Sequence, residues 1–146
     1  RGLGDVYKRQ VITTYIFLLL YYINWYTNIT NIQEEIKMAG IKNMDMAKVL
    51  VLKDEVVYQP GQVVSKTLAQ NEHLSVTLFA FDKGEEISTH ESGGDAFVTC
   101  LDGVGKITID GVDYELHEGE SIVMPAKHPH AVFGKEQFKM LLVVVF

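Results

Sequence analysis

The chain has little of what marks most specialised protein classes. It has one cysteine, Cys100, in 146 residues, so neither an intrachain disulfide nor a CxxC metal site exists. A lone thiol suits a reducing compartment, and a cytoplasmic protein is expected. Arginine occurs only at Arg1 and Arg9. With no arginine from Met38 onward, bidentate phosphate recognition loses its usual residue there. A formal net charge of −6 also argues against the basic footprint of a nucleic-acid-binding protein. With 47% hydrophobic and 22% charged residues, a single globular domain is the expectation for this length.

Long apolar runs are also scarce. The one near the N terminus, "VITTYIFLLLYYINWYTNITNI", is interrupted by Thr13, Thr14 and Asn24. A membrane helix wants about 20 predominantly apolar residues, and no small-x-small cleavage site follows this run. Before it stands "DVYKRQ", residues 5–10, which resembles the translation of a transposon end used in sequencing libraries. After it, "QEEIKM" can be encoded by a ribosome-binding sequence ahead of an ATG. We read residues 1–37 as a non-native leader of adapter and untranslated region, in preference to a signal peptide or anchor. The native domain is then 38–146, starting at Met38 or else at Met44 or Met46, and no membrane partner is expected.

What remains is rich in strand and turn signals. From "KVLVLKDEVVY" onward apolar and polar residues alternate with period two. "VVSKTLAQ" and "LSVTLFAFDKGEEI" read as strands. Asp102-Gly103, Asp110-Gly111 and Glu118-Gly119 are turn dipeptides eight residues apart, with "KITI" and "VDYEL" between them and "SIVM" after the last. Short strands at that spacing predict an all-β antiparallel sandwich or barrel. Cys100 keeps register with Ala96 and Val98, so it reads as a small core residue rather than a nucleophile. The closing "KMLLVVVF" is apolar on both faces. Such a strand is either central or covered by a second copy, and a homodimer is the expectation.

Two stretches carry a resemblance. "GEEISTHESGGDAFVTCLDG" (84–103) and "GESIVMPAKHPHAVFG" (119–134) resemble the two motifs of the cupin superfamily, small jelly-roll barrels of the double-stranded β-helix type. The first motif runs Gly, five residues, HxH, three or four residues, Glu, six residues, Gly. Gly84, His90 and Gly103 match it. The second runs Gly, five residues, Pro, x, Gly, two residues, His, three residues, Asn, and Gly119, Pro125 and His130 match it. The second histidine of the first motif is here Ser92, and its glutamate falls on Ala96, beside Asp95. In the second motif Lys127 replaces the middle glycine and Gly134 the closing asparagine.

The resemblance implies an all-β cupin-type jelly-roll barrel. A barrel that holds a small molecule is the preferred reading, over a partner-binding subunit that uses the barrel only as a scaffold, because no second domain accompanies it. The acidic charge and the interrupted apolar run leave no nucleic-acid or membrane partner expected. The implied pocket comprises His90, Ser92 and His130, with apolar walls Phe79, Phe81, Val98 and Phe133. The alternative is a metal-dependent cupin enzyme, an oxygenase or isomerase of a small polar substrate. One divalent metal ion would then sit on His90 and His130, with His128 or Asp95 completing the set, because a first-row ion usually needs three firm protein ligands. The preferred reading makes the two histidines polar groups at the barrel mouth, hydrogen-bonded to water or ligand.

Overall fold

The computed structural model describes residues 15–30 and 40–146. The adapter-like stretch 5–10 and the start at Met38 lie outside the described residues. Residues 15–30 form one helix, and no described helix is long and apolar enough to cross a membrane. The chain divides into two units, Arg1–Met38 and Ala39–Phe146. The second unit is built from seven strands, all paired antiparallel: β1 (Val63–Gln70), β2 (Leu74–Phe81), β3 (Glu86–His90), β4 (Asp95–Ile109), β5 (Val112–His117), β6 (Ser121–Met124) and β7 (His130–Val145).

Two long strands organise the rest. β4 and β7 pair almost end to end, from Asp95 opposite Val145 to Ile109 opposite His130. β2 and β6 flank one half of this ribbon, and β3 and β5 flank the other. The two halves are the facing sheets of a jelly-roll barrel, which confirms the expected all-β class. β7 is central, with β2 on one side and β4 on the other in its second half. Its Met140, Leu142 and Val144 pack in one apolar cluster and Leu141 packs in a second on the opposite face, which accounts for part of its two-faced apolar pattern.

The Asp102-Gly103 dipeptide does not end a strand, contrary to the sequence reading. It lies inside β4, where the register to β7 shifts between Cys100 and Asp102 and again between Gly103 and Gly105. Gly103 adopts φ +73°, which a side chain resists. A Cβ there would fall 1.7 Å from the Gln137 carbonyl oxygen. The same dipeptide that makes a hairpin elsewhere makes a bulge here, and the bulge lets β4 pass from one sheet to the other. Asp110-Gly111 does form the expected two-residue hairpin turn, with φ +51° and +79°.

The inner face of the barrel is a packed apolar core. Phe81, Val98, Ile107 and Phe138 are fully buried within it, and the Phe81 and Phe138 rings lie 5.7 Å apart. Cys100 is buried there too, as expected, and burial pushes its thiol pKa up to about 11, which favours the neutral thiol of a core residue. A second cluster forms on the outer face, where Val56, Leu52, Met44 and Tyr58 pack over Leu68, Leu78, Ala80 and Leu141. The alternation in "KVLVLKDEVVY" therefore marks a strap with a 3-10 turn at Leu52–Asp54, not a ladder strand. One side of the strap is buried against the sheet while Val49 and Val57 face water.

Candidate functional site

The two motif histidines meet in one place. β3 pairs with the first part of β7, with Glu86 opposite Phe133 and Ile87 opposite Val132. Regular pairing would then set Thr89 opposite His130, yet His90 takes that place. One extra residue on β3, between Ile87 and His90, makes the difference. Such a bulge re-aims a side chain. The imidazole centroids of His90 and His130 lie 4.5 Å apart, edge to face at 67°. His130 is buried and His90 is exposed, so the pair links the core to solvent.

Both rings are held by backbone. His90 Nδ1 lies 2.9 Å from the Ser88 carbonyl oxygen, and His130 Nδ1 lies 2.8 Å from that of His128. A carbonyl only accepts, so each Nδ1 donates. In the neutral rings Nε2 is then the lone-pair nitrogen in both cases. The site thus offers two acceptor nitrogens at the ring tips, flanked by partly buried Ile87 and by Ile109, which faces His130 across the β4–β7 ladder.

The other expected site residues have separate places. Ser92 Oγ accepts the Gly94 N–H at 3.2 Å, and the Ser92 carbonyl accepts the Lys127 N–H at 2.9 Å, which ties two mouth loops together. His128 Nδ1 lies 2.7 Å from Asp110 Oδ2. Asp95 Oδ1 accepts the Ala126 N–H at 2.8 Å, while its neighbour Ala96 is the one buried in the core. The expected metal set of His90, His130, His128 and Asp95 therefore does not assemble. Among the described residues no group of three or more His, Cys, Asp or Glu is placed to hold an ion.

The apolar walls also need correction. Phe133 belongs to the opposite face of β7 from the buried Val132, and Lys106 Nζ lies 5.4 Å from its ring centroid. Strand alternation puts consecutive residues on opposite faces, so Phe133 cannot share the face of His130. Phe81 and Val98 have 0% exposure, so no water-sized void touches either, and both are core. Phe79 is partly buried on the inner face, its ring 6.0 Å from that of Phe81.

Motif glycines have a backbone reason. Gly84, Gly103 and Gly119 all adopt positive φ, at +85°, +73° and +86°. Lys127, standing where the motif has glycine, also adopts φ +62°. Gly134 has no room for the asparagine of the motif, because a Cβ there would lie 2.8 Å from the Asp82 carbonyl oxygen. Sequence reasoning treated Asp110 only as a turn former and missed its contact with His128.

Comparison with known proteins agrees with this architecture. Residues 77–146 match the Cupin domain family. A conserved protein of unknown function from Streptococcus pyogenes is 51% identical, with a TM-score of 0.72, over 74% of this chain and 95% of that one. A cupin superfamily protein from Desulfitobacterium hafniense is 33% identical, with a TM-score of 0.71, over 74% and 99%. A cupin 2 conserved barrel domain protein from Leptotrichia buccalis is 46% identical, with a TM-score of 0.64, over 64% and 46%. No curated protein sequence matches the chain. The fold is a cupin jelly-roll barrel, and the chain belongs to the cupin superfamily.

Proposed function

We propose that this cupin barrel binds a small polar molecule where His90 and His130 meet. The observation that carries the reading is the bulge in β3, which spends a residue to set His90 opposite His130. Two fixed acceptor nitrogens beside aliphatic Ile87 and Ile109 suit a neutral, hydrogen-bond-donating ligand with an apolar flank. The test is a thermal-shift screen of small polar molecules on the full chain, run with and without added Zn2+. Replacing both His90 and His130 by Ala should abolish every shift found, with fold checked by circular dichroism. Shifts that persist in a folded double variant would place the pocket elsewhere.

A metal-dependent enzyme is the second reading, favoured by one feature. A ligating histidine usually donates its other ring N–H to a carbonyl or carboxylate, and both rings here are held in that way. The donor set nevertheless fits a resident ion only in part. Two imidazoles are supplied, and Ser92 and Ala96 hold the positions of the remaining motif ligands. An ion here would need further donors from water or from a bound molecule. We also propose a cytoplasmic homodimer. The single buried thiol suits a reducing compartment, and a row of outward apolar side chains on β2, β7, β4 and β6 is the candidate contact.

A further inference from the structure

His130 is held by a neighbour's carbonyl, and that neighbour is itself held. The His130 ring donates from Nδ1 to the His128 carbonyl at 2.8 Å. Residues 125–129 run between β6 and β7 outside any ladder, so sheet pairing does not orient that carbonyl. Asp110 instead holds the two residues on either side of that peptide bond. Its Oδ2 lies 2.7 Å from His128 Nδ1, and its backbone N–H donates to the Pro129 carbonyl at 3.0 Å. The residue before it, Ile109, stands opposite His130 in the β4–β7 register. One hairpin turn therefore grips both residues that precede His130.

From this chain of contacts we infer that Asp110 is a positioning residue for His130. By fixing His128 it aims the His128 carbonyl, and that carbonyl sets which nitrogen of His130 carries the proton. The matching support for His90, the Ser88 carbonyl, comes from the β3 bulge and does not involve Asp110. This inference rests on the reading of His130 as a ligand contact, but it can be tested on the free protein.

Asp110 adopts φ +51°, a conformation that Asn and Gly also take readily. Asp110→Asn keeps an acceptor for the His128 ring, whereas Asp110→Gly removes it without straining the turn. The experiment follows the imidazole nitrogen shifts in 15N-labelled full-length protein at pH 8, with no ligand added. Wild type and Asp110→Asn should show His130 as the Nδ1–H tautomer alone, and Asp110→Gly should show a mixture, with His90 unchanged. His128→Ala should reproduce the mixture, and the double variant should add nothing further. His130 keeping its single tautomer in Asp110→Gly would overturn the inference. So would an equal change at His90, which would mean general loosening. If Asp110→Gly does not fold, His128→Ala decides by the same two readings. A ligand screen that finds nothing leaves this measurement unaffected, so the two ideas fail separately.

Discussion

Tyr58 donates its hydroxyl hydrogen to Asp102 Oδ2 at 2.8 Å and so fastens the outer strap to the bulge at which β4 changes sheets. Lys139 Nζ sits 4.7 Å from the centre of the same ring and donates to the Lys53 carbonyl at 2.6 Å. A hydrogen bond to a charged acceptor contributes about 1.5–3 kcal/mol. Asp102 remains partly solvated, so the low end applies. Tyr58→Phe keeps the ring beneath Lys139 and should cost about 1–2 kcal/mol in urea denaturation.

Burial, followed by the Asp102 contact, pushes the Tyr58 phenol pKa above its ordinary value. A raised folded-state pKa stabilises the fold below the unfolded value of about 10, and that contribution is lost as pH rises through the folded value. Stability should therefore decline above pH ~10, and Tyr58→Phe should flatten that decline. Alkaline denaturation of the two proteins, followed by circular dichroism, is the check. An unchanged slope in the variant would assign the decline to other groups.

The inner corner of the barrel gives a second test. The Phe138 ring lies where a Cβ on Gly105 would be, within 2.4–2.6 Å of three ring atoms. Overpacking a filled core costs about 1–3 kcal/mol. Gly105→Ala should destabilise by that order, and Gly103→Ala by more. At Gly103 the obstacle is the Gln137 backbone rather than a movable ring, and φ is +73°. Midpoints of chemical denaturation would rank them, and the reverse order would contradict this account of the bulge.

These corners mark the limit of what was legible in the sequence. The motif spacing brought His90 and His130 together, because the glycines that frame them have local backbone reasons. Asp102-Gly103 was misread because an Asp-Gly pair serves a hairpin and a bulge equally well, and only long-range pairing decides. Phe133 was misassigned because adjacency to a motif says nothing about strand face. The strap was misread because one-sided burial gives the same alternation whether or not a ladder forms. The β3 bulge left no compositional mark, as Ser88 and Thr89 are ordinary strand residues.

Lys127 offers a stabilising substitution. At φ +62° it occupies left-handed backbone, which costs an L-residue roughly 1–2 kcal/mol. Glycine removes that cost but adds about 0.5–1 kcal/mol of unfolded-chain entropy. The first effect is larger, so Lys127→Gly should gain about 0.5–1 kcal/mol. The backbone N–H that ties Lys127 to Ser92 is kept in the variant. Lys127→Ala retains the strain and should be near neutral. A gain in Lys127→Ala equal to that in Lys127→Gly would point to the lysine charge instead of the backbone.

The outer face of the sheet carries the last prediction. Val76, Val143, Phe97 and Val123 form one row across β2, β7, β4 and β6. Phe97 is 43% and Val123 51% exposed, and Val145 beside the row is 57% exposed. Leu141 and Val76 pack against the strap cluster, while among the described residues of this unit Phe97, Val123 and Val145 stay exposed, so this face of the sheet is only partly covered there. A contiguous outward apolar row of this kind is the usual mark of a contact surface. A second copy meeting it face to face would bury the same row on both sides, as a two-fold interface requires. Sedimentation of the full chain at micromolar concentration should give a dimer, and Phe97→Lys with Val123→Lys should give a folded monomer. Val144 is no test of assembly, because its side chain is buried in the barrel core and its replacement by Lys would unfold the protein. A wild type that sediments only as a monomer would sink the dimer, and a dimer that survives both lysines would move its interface off this face.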